Sequence, residues 1–170
     1  MGRNSTARQL ILGAVAGLAG AAAMRGFRAL WDSLVGESTR NGIFGLDREA
    51  DINSVRMLYG AWGDQNISDA KAENVALGLH YAYGCWAGIF YVLCGDRVPL
   101  VRLGSGTAFG SVLWLVGDEL PISVFGFSDP RSRSLASHGS ALAVHLLFGA
   151  VVESAGSSCG IFSNSQHSAP

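Results

Sequence analysis

The alternation of apolar and polar stretches divides the chain into four apolar segments joined by polar connections. The segments cover approximately residues 9–35, 75–94, 101–127 and 135–152. A membrane-spanning helix needs about 20 mostly apolar residues, and all four segments are near that length. A bilayer core offers no water to the backbone, so each segment is expected to be helical. The pattern predicts an all-α fold, a polytopic membrane four-helix bundle built by residues 1–153 as a single integral-membrane domain.

The connections between the segments are polar, and one of them contains a further periodic pattern. Residues 37–73 form a long loop that holds most of the charge of the chain. Within it, apolar side chains recur at helical spacing, at Ile52, Val55, Met57, Leu58 and Trp62. This spacing predicts a short amphipathic helix over Arg48–Trp62, in the loop between the first two spans and lying over the bundle. Residues 154–170 are small and polar, and we expect a disordered tail there.

Small residues four positions apart occur in every apolar segment. This spacing lets membrane helices approach closely, which is how they pack without a hydrophobic driving force between them. The positions are Gly13, Gly17 and Ala21; Gly84 and Gly88; Gly106 and Gly110; and Gly139 and Ala143. We interpret them as the packing faces of a compact bundle. The same glycine-rich faces are equally suited to a homo-oligomer or to a membrane-complex partner.

The composition supports a membrane protein and narrows its partners. Charged residues are 15% of the chain, against about 25% in a typical soluble domain, and 23 of 170 residues are glycine. The mean hydropathy is +0.29. The 12 basic and 13 acidic side chains give a net charge of −1. No basic face for nucleic acid is therefore expected, and the predicted partner is the lipid bilayer.

Two stretches of these apolar segments resemble sequence features other than membrane helices. Arg3 and Arg8 precede an apolar run that contains Ala21–Ala23, which resembles a signal peptide, although the run is long for one. The glycine-rich run Gly104–Gly110 resembles a dinucleotide-binding loop. Such a loop requires a βαβ unit, and no second strand pattern accompanies this one. We therefore expect both regions to be membrane helices.

Ionisable side chains within the apolar segments are the candidate functional residues, because a charge at the bilayer centre costs at least about 2.5–3.5 kcal/mol. We call the side of the membrane with the N-terminus side A and the opposite side B. Threading the chain through four spans places all of these groups in the B half, with His145 nearest mid-depth. The predicted buried polar cluster consists of Arg25, His80, Asp118, Glu119, His138 and His145.

The cluster is open to several interpretations. The groups could simply pair with one another across helices, or they could line a polar cavity that serves as a proton or ion path or binds a small ligand. A metal site from His80, Glu119 and His138, or haem ligation by His80 and His145, is also conceivable. The sequence contains no recognised catalytic motif, so no catalytic residue, metal ligand or cofactor is assigned.

Three short motifs resemble one known family. They are His80-Tyr81-Ala82-Tyr83-Gly84; Asp118-Glu119-Leu120-Pro121 with Phe125-Gly126; and His145-Leu146-Leu147-Phe148-Gly149. They resemble bacterial inner-membrane proteins of the YagU type, a domain of unknown function, over about residues 10–153. Phe148 departs from the pattern, which often has Tyr at that position. The resemblance implies a small polytopic membrane protein with no assigned reaction or cofactor, and it argues against cleavage at the alanine run.

These observations lead to a functional expectation with two alternatives. We expect a multi-pass protein of a bacterial cytoplasmic (inner) membrane that acts as a non-enzymatic accessory or stress-related component. The first alternative is a small transporter or proton- or ion-conducting protein that uses the His and carboxylate cluster. The second is a membrane metalloenzyme. The distribution of Lys and Arg between the two sides is nearly even, with a slight preference for side A as the cytoplasmic side.

Overall fold

The computed structural model describes residues 3–34, 45–63, 67–95, 97–119 and 135–161, and within these ranges it is helical with no strand. The predicted all-α class is therefore confirmed. The five α-helices are α1 (Arg3–Leu34), α2 (Gly45–Ala61), α3 (Asp69–Gly95), α4 (Thr107–Trp114) and α5 (Leu135–Ser158). A 3-10 helix, Pro99–Arg102, precedes α4, and a π-helical turn, Leu115–Glu119, follows it.

Three of the helices, α1, α3 and α5, are long and apolar enough to cross a membrane. The 27 residues of α3 extend about 40 Å at 1.5 Å per residue, which exceeds the hydrocarbon thickness of about 30 Å. Large apolar side chains in the middle of the helices face outward: Ile11 is 64% exposed, Val15 56%, Trp86 56% and Val112 55%. Hydrocarbon, not water, is the solvent in which such a surface is stable, and the protein is accordingly a membrane protein.

The helix α1 packs against α3 through glycines. A methyl group on Gly17 would overlap the carbonyl oxygen of Gly84, and one on Gly88 would overlap the carbonyl oxygen of Gly13. As residue numbers rise along α1 they fall along α3, so the two helices are antiparallel. The predicted faces Gly13/Gly17 and Gly84/Gly88 are thus each other's partners, at backbone-to-backbone distance.

The helix α1 also packs against α5, again in antiparallel fashion. Arg8, near the start of α1, donates a hydrogen bond from Nη2 to the carbonyl oxygen of Cys159 at 2.9 Å. Further along α1, Gly20 lies against the ring of Phe148. Because α3 and α5 each run antiparallel to α1, they run parallel to each other.

The short helix α4 packs against α5 through a second pair of glycine contacts. A methyl group on Gly110 would overlap the carbonyl oxygen of His145, and one on Gly149 would overlap that of Gly106. The pairing of Gly106/Gly110 with α5 fits the predicted role of small residues, but the partner on α5 is Gly149. The predicted position Gly139 has open space around it, with no atom within 4 Å of an added Cβ, so this residue is not at a packing face.

The third apolar segment begins differently from the prediction. Gly104, Ser105 and Gly106 all have positive φ angles, of 61°, 56° and 87°. Three successive left-handed residues cannot continue a right-handed helix, so α4 begins at Thr107 and not at Val101. The glycine-rich run is therefore a turn that presents Gly106 to Gly149, and no strand precedes it within residues 97–119. The remainder of the predicted span, 120–127, lies outside the described residues.

The amphipathic helix predicted over Arg48–Trp62 is present as α2, with bounds shifted by a few residues. It packs against α3 around a small apolar cluster of Val55, Ile67 and Ala72. An ion pair between Arg56 and Asp69 joins the two helices at the surface.

The last span is longer than predicted. The helix α5 continues to Ser158, so residues 154–158, which we expected in the tail, form its final turn. Residues 162–170 of the predicted tail lie outside the described residues.

Candidate functional site

A cavity of about 270 Å³ lies in the B half of the molecule, between α1, α2, α3, the π turn and α5. Its walls are partly apolar, with Met24, Leu113 and Phe148 among them. Six polar side chains also line it: Arg28, Ser54, His80, Tyr83, Asp118 and His145. Three of the predicted cluster residues, His80, Asp118 and His145, are thus brought to one cavity by three different elements.

His80 is held in place by α1. Its Nε2 is 3.2 Å from the carbonyl oxygen of Ala21. Ala21 is within reach because its side chain packs against Gly84, one turn further along α3. A nitrogen that faces a carbonyl carries the proton, so in the neutral ring Nδ1 is left as a hydrogen-bond acceptor.

His145 is buried and oriented by its own helix. Its Nδ1 is 2.8 Å from the carbonyl oxygen of Ala141, one turn earlier in α5. The same atom is 3.8 Å from Oδ2 of Asp118. The ring is therefore held by the backbone of α5 and faces a carboxylate of the π turn, and in the neutral tautomer its Nε2 remains an acceptor.

The π turn explains how Asp118 reaches α5. Gly110 faces α5 directly, and Asp118 follows eight residues later, which in an α-helix is about 2.2 turns and would place it about 80° around the axis from Gly110. A π turn contains more residues per turn, so the widened turn Leu115–Glu119 returns Asp118 toward the face of Gly110. The same turn brings Gly117 against the hydroxyl of Tyr83 on α3.

Two of the other predicted cluster residues, Arg25 and His138, are not among the residues that line the cavity. Arg25 is exposed on α1 and does not belong to a buried cluster. His138 is half-buried near the start of α5, about 10 Å along the axis from His145 at 1.5 Å per residue, and is not among the residues that line the cavity. The side chain of Glu119 lies outside the described part of the structure. Among the described residues, no group of three or more His, Cys, Asp or Glu could hold a metal ion.

A second buried polar group lies in the A half and was missed by the sequence analysis. It is centred on Glu153, near the end of α5. Arg102 of the 3-10 helix donates from Nη2 to Oε1 of Glu153 at 2.7 Å. Tyr91 of α3 donates its hydroxyl to Oε2 at 2.6 Å, and Ser157 donates to Oε1 at 3.0 Å. We call these four residues the Glu153 cluster.

The Glu153 cluster could have been found from one signal. Glu153 follows directly after the predicted end of the fourth segment at Val152, and Arg102 lies at the start of the third segment, which covers residues 101–127. Both therefore lie on the same side in the four-span threading, where a carboxylate and a guanidinium would be expected to pair. Their separation of 51 residues in sequence hides this pairing from any local pattern.

Comparison with known proteins adds no relative. No protein-family model matches the chain, and no curated protein and no solved structure is significantly similar to it.

Proposed function

We propose that this protein is a multi-pass protein of a bacterial cytoplasmic membrane that crosses the bilayer four times and acts as a non-enzymatic, ligand-holding component. The single observation that carries the proposal is the cavity in the B half, where His80, Asp118 and His145 converge from three elements. The resemblance of the His80 and His145 motifs to the YagU-type family supports the same membrane assignment and remains part of the proposal.

The directions of the helices support the fourth crossing. Since α3 and α5 run parallel, the chain leaves α3 on side A and enters α5 on side B. This arrangement supports a return of the intervening segment through the membrane. The helix α4 packs antiparallel to α5 through Gly106/Gly149 and Gly110/His145, and it would form the first part of that return together with the π turn.

A buried apolar layer beside the cavity favours a ligand-holding function over ion conduction. The cavity and the Glu153 cluster are separated by a buried apolar layer, to which α4 contributes Phe109 and Leu113 and α5 contributes Phe148 and Val152. His145 and Glu153 are eight residues apart on α5, or about 12 Å along its axis. An ion passing from one polar site to the other would have to cross this layer without polar partners, which is costly.

Transport is the second candidate, and the same two polar sites favour it. A site near mid-depth, a second charged site on side A and a thin apolar layer between them would constitute an occluded pathway if the layer opened. Flux through reconstituted liposomes that is abolished in Asp118→Asn would support transport. An absence of flux for protons and monovalent ions would favour the ligand-holding function.

Cysteine labelling tests the four crossings. In a Cys85→Ser, Cys94→Ser background, the exposed Cys159 should react with an impermeant maleimide from side A. In a background that also carries Cys159→Ser, a Ser105→Cys variant should react from side A, and Asn53→Cys and Leu135→Cys should react only from side B. Leu135 is the first residue of α5 and is 91% exposed, so a cysteine at this position is accessible to the maleimide. Labelling of positions 105 and 135 from the same side would overturn the fourth crossing.

A further inference from the structure

The interface between α3 and α4 differs from the other interfaces of the bundle. The pairs α1/α3 and α4/α5 are closed by glycines at backbone distance. Between α3 and α4, aromatic rings are in contact. Phe109 of α4 meets Phe90 with ring centroids 6.4 Å apart and Tyr91 with centroids 4.8 Å apart. These rings stand between the two backbones, and we call the exposed surface beside them, between α3 and α4, the α3/α4 groove.

The α3 wall of this groove is an exposed apolar stripe. Four side chains on one helical face form it: Leu79, Tyr83, Trp86 and Phe90. They are 42–56% exposed, and the rings stack in series, with centroids of Tyr83 and Trp86 6.0 Å apart and those of Trp86 and Phe90 5.6 Å apart. On the other helix, Val112 and the π-turn residue Val116 are also more than half exposed.

The groove is continuous with the cavity. Leu79 and Tyr83 belong to the exposed stripe and also line the cavity, and Gly117 faces the Tyr83 hydroxyl from the opposite wall. A molecule in this position would have one end among polar groups and the other among rings that face hydrocarbon. Such a gradient from polar to apolar is complementary to a membrane lipid.

The polar groups indicate which headgroup fits. When the rings are neutral, Nδ1 of His80 and Nε2 of His145 are acceptors, and with the carboxylate of Asp118 they give the residues that line the cavity three acceptor groups. A primary ammonium supplies three N–H donors to such a set. Arg28 also lines the cavity, and its five donors can bind a phosphate in addition to its existing partner.

We infer that the cavity binds the headgroup of a phospholipid with a primary ammonium, of the phosphatidylethanolamine class, and that the α3/α4 groove holds one of its acyl chains. The cavity volume of about 270 Å³ is slightly below the range of about 300–1,000 Å³ for small-molecule sites, which suits a headgroup and not a whole lipid. The inference rests on the proposed function, because the lipid can enter laterally only from a surrounding bilayer.

Fluorescence quenching by brominated lipids tests this inference, because Trp86 lies in the groove. The full chain with Trp31→Phe, Trp62→Phe and Trp114→Phe is reconstituted in phosphatidylcholine that contains a small fraction of lipid with brominated chains. The brominated probe is either phosphatidylethanolamine or phosphatidylcholine. Random collisions with lipids of the surrounding bilayer quench Trp86 equally for both probes. A difference in quenching between the two probes therefore reports a preference for one headgroup. Phosphatidylcholine is the matched probe because its quaternary ammonium has no N–H.

We expect phosphatidylethanolamine to reach half-quenching at a mole fraction about tenfold lower than phosphatidylcholine does, the factor expected from one charge-assisted hydrogen bond. Asp118→Asn should bring the two mole fractions together. Asp69→Asn removes the same charge at an exposed position on side B and should keep the preference. Equal quenching by both lipids in the unsubstituted cavity would overturn the inference.

Two further measurements keep the inference falsifiable if Asp118→Asn does not fold. Stronger quenching by brominated phosphatidylglycerol than by phosphatidylethanolamine would overturn the ammonium assignment. Soluble glycerophosphoethanolamine should compete only weakly with brominated phosphatidylethanolamine. If it competes fully while the two brominated lipids quench equally, the occupant is a soluble molecule and the inference is wrong. A correct four-crossing labelling pattern combined with equal quenching would mean that only this inference fails.

Discussion

Single glycines decide where the helices of this protein can meet. At Gly110, an added methyl group would overlap the carbonyl oxygen of His145, so close approach of the two backbones depends on the missing side chain. Gly139 lies in the same helix as His145 but has open space around it. The two positions therefore separate a packing effect from a helix-propensity effect.

We expect Gly110→Ala to lower the free energy of unfolding by about 1–3 kcal/mol, the usual cost of overpacking. Gly139→Ala is the matched control and should be neutral or stabilising by up to about 1 kcal/mol, because alanine is the better helix former. Denaturant unfolding in detergent measures both. A similar loss in the two variants would contradict the assigned packing.

The Glu153 cluster is the best-satisfied buried polar group in the described structure. The carboxylate of Glu153 accepts hydrogen bonds from Arg102, Tyr91 and Ser157. It therefore connects α3 and the 3-10 helix to α5. We expect Glu153→Gln to cost about 1.5–3 kcal/mol, the range for hydrogen bonds to charged groups. Thermal unfolding of the purified protein measures it, and the neighbouring exposed Ser154→Ala should leave the unfolding temperature unchanged.

A double-mutant cycle on Tyr91→Phe and Glu153→Gln tests whether the hydroxyl acts through the carboxylate. The two groups are in direct contact at 2.6 Å, and contacting pairs couple by about 0.5–3 kcal/mol. Additive losses would show that the Tyr91 hydroxyl does not act through the carboxylate of Glu153.

At the scale of the helices, the described side chains of α2, residues 52–61, make only a small apolar contact with α3. Its anchor is the cluster of Val55, Ile67 and Ala72 together with the surface ion pair Arg56–Asp69, and an exposed pair contributes only about 0–1 kcal/mol. Ser54 and Val55 also line the cavity, so α2 covers one wall of it. An element with so little buried surface is expected to open at lower free energy than the long helices.

We expect Val55→Ala to increase hydrogen exchange in α2 while exchange in α1 and α3 stays the same, because Val55 is 1% exposed and carries the α2 contact. The control is Met57→Ala, since Met57 lies on the same helix and is 51% exposed. Exchange that increases equally in all three helices would indicate global loss of stability and contradict a local role.

The sequence predicts the helices whose boundaries follow from apolar length. It does not predict features that depend on local backbone conformation or on contacts between residues far apart in sequence. The predicted segment 75–94 lies within α3, Asp69–Gly95, because the length of the apolar stretch alone determines the central part of this helix. The start of α4 was missed because Gly104–Gly106 adopt left-handed conformations that composition does not reveal. His80, Asp118 and His145 were expected in one half of the molecule, and all three line the cavity, but the turn that brings Asp118 toward α5 depends on a local π conformation.

For the whole molecule, the position of an apolar residue relative to the bilayer matters more than its exposure. Val15, in the middle of α1, is 56% exposed, and Leu100, in the 3-10 helix between two helix ends, is 66% exposed. We expect Val15→Lys to reduce membrane insertion, because a charge near the centre of a span costs about 2.5–3.5 kcal/mol. Leu100→Lys should insert normally. The yield of membrane-integrated protein measures both, and equal yields would contradict the assigned depths.

The hydrogen bond between Arg8 and Cys159 places the first turns of the first helix beside the end of the last helix. A short peptide linker could therefore join the two ends without disturbing any span, and the chain could be opened after Trp62 to give a circular permutant. Such a permutant would begin with α3 and end with α2, and its ability to fold would tell whether α1 has to be inserted first for the other helices to assemble around it.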